Sequence, residues 1–365
     1  MIPLARQVRR AEGDKHLAPE PDYASALREL SRARSVVFTT HVKPDGDALG
    51  SIAALRRWLI GQGKKVTVIV PTPPSTKYAF LDPDGTTQVA KRDVDVKSLP
   101  PPDLVCVVDT ATWLQLAGME PLVAHSGAPV LVIDHHQTCD PLFDFQLIDP
   151  GAVAVAVMVH HLLTEAGAEI DPTTAMYLLT GLAVDTDWFR LPTVDAATLR
   201  LAASLVEAGA RPAEIYDRLY MSDDLTRAQL RGRAIETLRP TLDGRAMVMR
   251  LTRGLFRELG ADIGDTENLI NECMRIRGVQ VGLMLIEAEG EEVRVSLRSR
   301  PPVDILRVAK QFGGGGHHRA AGARLEGSLD AVEAKVLALV AEALADADLS
   351  AAASAKADAG RAKKA

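Results

Sequence analysis

The sequence predicts an α/β protein of two unlike domains, a parallel-sheet N-terminal domain and a smaller α/β C-terminal one. Three observations carry this. Short β-branched runs recur at Ser35–Thr39, Val66–Val70, Leu104–Val108 and Val130–Ile133, nearly unbroken in apolar character and separated by helical sequence. Strands that are apolar on both faces belong to parallel sheets covered by helices on both sides. Around residues 195–240 the texture turns to charged helical sequence, and a second pattern of strands and helices follows. The 365 residues exceed one ordinary domain and leave each of two domains enough chain to bury a core.

Taken in order, residues 1–21 are polar and read as a flexible N-terminal segment. A domain over residues 22–195 opens with a helix, Tyr23–Ala33, before the first strand, which leads to His41. Gly50–Ile60 reads as a helix with its apolar face inward. Asp171-Pro172 marks another helix start, a capping carboxylate followed by proline in the first turn, and that helix runs to about Val184. Residues 196–240 are expected to be a helical connector, and 241–345 the second domain. There the pattern is strand Ala246–Leu251, a helix, then strands Val279–Glu287 and Val293–Leu297 joined by a Glu/Gly turn. A helix Val303–Phe312, a glycine run, a short strand near Arg324 and an Ala/Leu helix from Leu329 to about Ala345 complete it. Residues 346–365, rich in Ala, Lys and Ser, read as a disordered tail.

A formal net charge of −6 does not advertise nucleic-acid binding by the molecule as a whole, so an anionic substrate must be met by local cations or metals. Arg6, Arg9 and Arg10 have no apolar stretch behind them, which argues against a signal peptide. The longest apolar run, Ala152–Val159, falls far short of the ~20 residues of a membrane span. Cys106, Cys139 and Cys273 form no zinc-ligand spacing. A reducing, cytoplasmic setting without a membrane partner is the expectation; a homodimer is compatible with it.

Four acidic or histidine clusters fall where the elements of such a sheet would end. His41-Val42-Lys43-Pro44-Asp45-Gly46-Asp47 follows the first strand, Asp109 follows Val107-Val108, Asp134-His135-His136 follows Val132-Ile133, and Asp185 closes a helix. Ligands of open parallel sheets sit outside the carboxyl ends of the strands, so three clusters converge on one edge. Two divalent metals ~3.5–4 Å apart can clamp a phosphate, activate a bridging hydroxide and stabilise the leaving oxygen. Carboxylates and imidazoles without thiolate favour manganese, with magnesium or cobalt as substitutes. His160-His161, by contrast, continues an apolar helix with no carboxylate noted at ligand spacing, and reads as a core-to-surface pair.

At these residues the chain resembles the DHH phosphoesterases, named for the triplet present here as Asp134-His135-His136. The resemblance spans about residues 23–345. It includes a DHH-associated C-terminal domain, whose glycine–histidine motif appears as Gly313-Gly314-Gly315-Gly316-His317-His318-Arg319-Ala320-Ala321-Gly322. Within the family the combination with Val295-Ser296-Leu297-Arg298-Ser299 is most similar to the nanoRNase/pAp phosphatases, where pAp is 3′-phosphoadenosine 5′-phosphate. The resemblance implies an active site in a cleft between the two domains, acting on short single-stranded RNA or a nucleotide bisphosphate. His41 and Asp45 would hold one metal and Asp47 the other, with Asp109 bridging and His135 and Asp185 completing the second site. Asp134 would orient a ligand histidine from behind it, and His136 would touch the substrate phosphate. Arg298 and the Gly313, Gly314, Gly315, Gly316 and His317 loop would hold the nucleotide's far end. The family often has Asp-Thr-Gly where this chain reads Asp185-Thr186-Asp187, which sets an extra carboxylate beside the site.

The glycine loop also makes chemical sense alone, because glycines permit unusual dihedrals and let backbone amides approach a phosphate. Residues 270–324 hold nine Arg/Lys against six Asp/Glu in a chain that is acidic overall. Arg298 brings a planar fork suited to phosphate. A linear or cyclic dinucleotide phosphodiesterase is the alternative reading, an inorganic pyrophosphatase ranks below it, and a non-catalytic nucleotide-binding module is disfavoured by the intact ligand set.

Overall fold

The computed structural model describes residues 21–362 apart from 137, 138, 141, 142 and 289. Residues 1–20, expected to be a flexible segment, lie outside the described residues. The chain divides into two units, one up to Ser222 and one from Asp223.

The first unit runs α1 (Tyr23–Arg32), β1 (Ser35–Thr39), α2 (Gly46–Gly61), β2 (Lys65–Val70), β3 (Gln88–Val89), β4 (Leu104–Val108), α3 (Glu120–Val123), β5 (Val130–Asp134), β6 (Phe145–Ile148), α4 (Val155–Glu165), α5 (Pro172–Asp185), α6 (Ala196–Glu207) and α7 (Pro212–Tyr220). Its six strands lie in the order β3-β2-β1-β4-β5-β6, and every neighbouring pair is parallel. The strand order reverses between β1 and β4, the switch point where such sheets open a crevice. Both faces are buried, as the apolar runs require. Along β4, Leu104, Cys106 and Val108 enter the core beneath α2, α4 and α5. Val105 and Val107 enter a second core with Leu116, Met119 and Leu122.

The second unit runs α8 (Leu225–Glu236), β7 (Arg239–Thr241), β8 (Ala246–Leu251), α9 (Arg253–Leu259), α10 (Asn271–Met274), β9 (Val281–Glu287), β10 (Glu292–Ser299), α11 (Leu306–Lys310), β11 (Gly315–His317), β12 (Ala320–Glu326) and α12 (Leu329–Ala362). Its sheet has the order β11-β12-β10-β9-β8-β7, parallel at β8–β9 and antiparallel elsewhere. Val293, Val295 and Leu297 of β10 pack with Val332, Val336 and Val340 of α12.

Several boundaries differ from expectation. Helix α2 begins at Gly46 rather than Gly50, because Asp45 caps it by accepting from the amides of Asp47 and Ala48. The expected connector is no separate body. Leu205, Ala210, Ile215 and Leu219 of the α6–α7 stretch enter the first core, whereas Leu230 and Ala234 of α8 enter a core of the second unit. The tail expected to be disordered continues α12 to Ala362; alanine-rich sequence extends an already nucleated helix at little cost.

Candidate metal centre

The carboxyl ends of β1, β4 and β5 bring the clusters together at the switch point. The chain leaves β1 through His41 and enters α2 at Asp45, so Asp47 falls in the first helical turn and is fully buried. Asp109 follows β4 with its amide bonded to the Ile133 carbonyl at 2.9 Å. Its φ of 63° is left-handed, a strained conformation for a non-glycine residue that aims the side chain out of the strand direction. Asp185 is the last residue of α5. Helix α5 comes close enough through Gly46, whose Cβ would lie 2.6 Å from Val184 Cγ2, and Gly181, whose Cβ would lie 2.6 Å from Asp47 Oδ1.

Three triads result. His41, Asp45 and Asp109 offer ligand atoms within 4.8 Å of one another, and so do Asp47, His135 and Asp185, and Asp109, His135 and His136. Asp109 faces the first two: its Oδ2 lies 3.4 Å from His41 Nε2 and its Oδ1 3.6 Å from His135 Nε2. His135 Nε2 is also 3.4 Å from Asp185 Oδ2. The two histidines are oriented alike. His41 Nδ1 lies 2.9 Å from the Val42 carbonyl and His135 Nδ1 3.1 Å from that of Ala152. Donation from Nδ1 leaves each Nε2 lone pair to the centre. Asp47 accepts from the amides of Val155 at 2.6 Å and Ala156 at 2.9 Å, so it also caps α4.

The electrostatics fit a cation. Burial, then the Asp185 charge, pushes the Asp47 carboxyl up to about 7. Burial, then Asp45, pushes Asp185 up to about 7. Asp109 is raised well above the carboxylate range by burial and then by Asp47. Its Oδ1 is buried without a hydrogen-bond partner among the described residues. Clustered carboxylates with an orphaned oxygen are what divalent ions neutralise, and a donor set of oxygens and imidazoles suits hard or borderline ions.

Asp134 is fully buried and its Oδ1 accepts from His136 Nδ1 at 2.7 Å; the His135 ring is committed to Ala152. That bond raises the His136 pKa and holds the half-exposed ring beside the centre. The extra carboxylate of Asp187 pairs with Arg190. His161, read as lacking a carboxylate, has Glu165 one turn on at 3.3 Å.

Arg298 lies on β10, its pKa lowered by burial and without a partner among the described residues. The glycine motif forms β11, where His317 pairs in register with Ala320. A side chain at Gly314 or Gly316 would run into the backbone of β12, so both are required by packing; Gly315 faces open space. Sequence reading missed Gly46 and Gly181, whose spacing against α2 and α5 carries meaning only once those helices are known to touch.

Fold and site define an α/β protein whose carboxylate–imidazole centre could hold two divalent cations. Residues 35–182 match the DHH family N-terminal domain and residues 243–346 the DHHA1 domain. The chain belongs to the DHH family. The bifunctional oligoribonuclease and PAP phosphatase NrnA of Thermus thermophilus is 32% identical over 90% of this chain and 97% of its own length. The NrnA of Bacillus subtilis is 26% identical over 82% and 92%. An exopolyphosphatase-related protein from Bacteroides fragilis shares the fold with a TM-score of 0.83 at 25% identity, covering 88% of this chain and 95% of its own. The resemblance read from the Asp134-His135-His136 triplet and the glycine motif is thereby borne out.

Proposed function

We propose that the protein is a two-metal phosphoesterase that hydrolyses short oligoribonucleotides and pAp. The observation that carries this is Asp109, whose two oxygens face His41 and His135 in separate triads. His41 and Asp45 would hold one cation, Asp47, His135 and Asp185 the other, with Asp109 shared. Manganese suits the donor set best, with magnesium or cobalt as substitutes. When bound, the pair polarises the phosphate, supplies a nucleophile at neutral pH and stabilises the leaving oxygen.

The protein's own groups do the rest. The Val42 and Ala152 carbonyls fix the histidine tautomers. The amides of Val155 and Ala156 hold Asp47 still. His136, kept protonated to higher pH by Asp134, donates to a substrate phosphate oxygen as charge develops. Arg298 and the Gly313–His317 loop supply a nucleotide-gripping surface. The names of the two NrnA relatives support the substrate class. Among the described residues no helix is long and apolar enough to cross a membrane, and we place the protein in the cytoplasm.

The test is competition. With manganese present, pAp should inhibit dinucleotide hydrolysis competitively, with an inhibition constant matching its own KM if binding is near equilibrium. Purely non-competitive inhibition would mean two sites and defeat the reading.

A further inference from the structure

The open face of the second sheet carries more cation than Arg298 alone. Along β10, Val293, Val295 and Leu297 point into the core, so Arg294, Ser296 and Arg298 share the opposite face. Helices α8, α9 and α10 cover that face over β8 and β9, where Met247, Met249, Met284 and Ile286 are buried, and among the described residues none of β12 joins that cluster. The register sets Arg298 opposite Ala320, Ser296 opposite Gly322 and Arg294 opposite Arg324. Residues directly opposed share a face, which makes three rows.

The rows differ in what they expose. The first carries Arg298 and runs through Ala320 to the backbone of His317. The middle row is Ser296, Gly322 and Gly315, a single hydroxyl on otherwise bare backbone. The third sets two guanidinium side chains against each other. Like charges directly opposed across an antiparallel pair are destabilising, and an anion between them removes that cost. Arg324 has one carboxylate, Glu292 at 2.9 Å. Arg294 has no ion pair among the described residues, and burial followed by Arg324 lowers its pKa against the attraction of Glu292. One row further, Glu292 faces Glu326, so the basic surface ends in two carboxylates. Rows are about 6.8 Å apart, two residues at about 3.4 Å each, so Arg294 lies roughly 14 Å beyond Arg298.

We propose that Arg294 and Arg324 form a second phosphate clamp for single-stranded oligoribonucleotides, two rows beyond Arg298, with Glu292 and Glu326 closing the track. Planar guanidinium forks suit such a phosphate, and the middle row, with one short hydroxyl side chain beside two glycines, lets the chain lie flat between the two clamps. A bound pAp or dinucleotide held at Arg298 is too short to reach it; a pentanucleotide is not. The clamp deepens the hydrolase reading above and rests on it for the identity of the ligand.

The experiment measures binding apart from turnover. Full-length protein in chelator is titrated into fluorescein-labelled pentaadenylate and, separately, a labelled dinucleotide, with anisotropy as the readout. Arg294→Ala should weaken the pentamer about tenfold, the worth of one charged hydrogen bond. It should also reduce the dependence of log Kd on log salt by about one. The dinucleotide should bind as in wild type. Because the substitution removes a like-charge contact, its Tm should be at or above that of wild type. Equal pentamer binding by wild type and Arg294→Ala overturns the clamp, as does an equal loss for both ligands. Turnover with manganese separates the two readings. If wild type hydrolyses none of the nucleotides while Arg294→Ala still loses pentamer binding, the hydrolase reading fails and the clamp stands. If hydrolysis is intact and binding is indifferent to Arg294, the clamp alone fails.

Discussion

A single methyl group added at Gly181 should disorganise the metal centre without touching any of its ligands covalently. Gly181 lies inside α5, where a Cβ would sit 2.6 Å from Asp47 Oδ1, 2.8 Å from Ala156 Cβ and 3.2 Å from Asp47 Cα. In an open helix Gly→Ala stabilises by roughly 1 kcal/mol. Here the overpacking costs about 1–3 kcal/mol. Displacing Asp47 from one of its amide donors costs about 1.5–3 kcal/mol more, since that bond is charge-assisted. The net is a destabilisation of roughly 1.5–5 kcal/mol, a Tm lowered by roughly 3–20 °C for a unit of this size. A ligand moved by about 1 Å should lower turnover on the order of a hundredfold. Thermal melts and manganese-dependent turnover of Gly181→Ala should be run beside Gly232→Ala. That residue is in α8, its added Cβ meets nothing within 4 Å, and it should gain up to about 1 kcal/mol. If Gly181→Ala is as stable and as active as Gly232→Ala, close approach of α5 does not set the position of Asp47.

Further outcomes test the electrostatics and the grip. Asp134→Asn should lower the His136 pKa, which the Asp134 hydrogen bond raises; activity that needs protonated His136 is lost as pH rises through that value. The alkaline limb of kcat/KM should therefore move to lower pH, and an unmoved profile would remove His136 from the chemistry. Asp47 and Asp185 are pushed up to about 7 from an ordinary 3.8. The folded metal-free protein thus holds extra protons between these values, and its stability falls as pH rises from about 4 to about 7. Manganese removes that penalty, so its Tm gain should be larger near about pH 8 than near about pH 5. An equal gain at both would place the metal elsewhere. Arg298→Ala should damage nucleotide hydrolysis while largely sparing a small artificial phosphodiester; equal loss on both would give Arg298 a different role.

The first sheet was legible where its strands are apolar on both faces. β1, β4 and β5 each read as an unbroken run, and the clusters behind them could be placed on one edge without coordinates. β6 was not legible: Phe145–Ile148 is four residues long with an exposed Gln146. Nor was β11, since Gly315–His317 has no strand propensity and is held by its partner β12. The start of α2 was hidden because Gly46 is a poor helix former. Here the tertiary need for close approach to α5 overrides local preference. The ligand residues were legible by type and position. The partner of Asp134 was not, because which histidine it holds depends on the Ala152 carbonyl having already engaged His135.

One centre, shared through Asp109, is proposed to hydrolyse both substrates. Wild type and Asp109→Ala should be compared for bound manganese and for turnover of pAp and a dinucleotide. Wild type should bind two manganese ions per chain. Asp109→Ala should lose both activities while the protein stays folded, because a buried carboxyl with an orphaned oxygen is removed. An Asp109→Ala protein that keeps either activity near wild type with saturating manganese would contradict it.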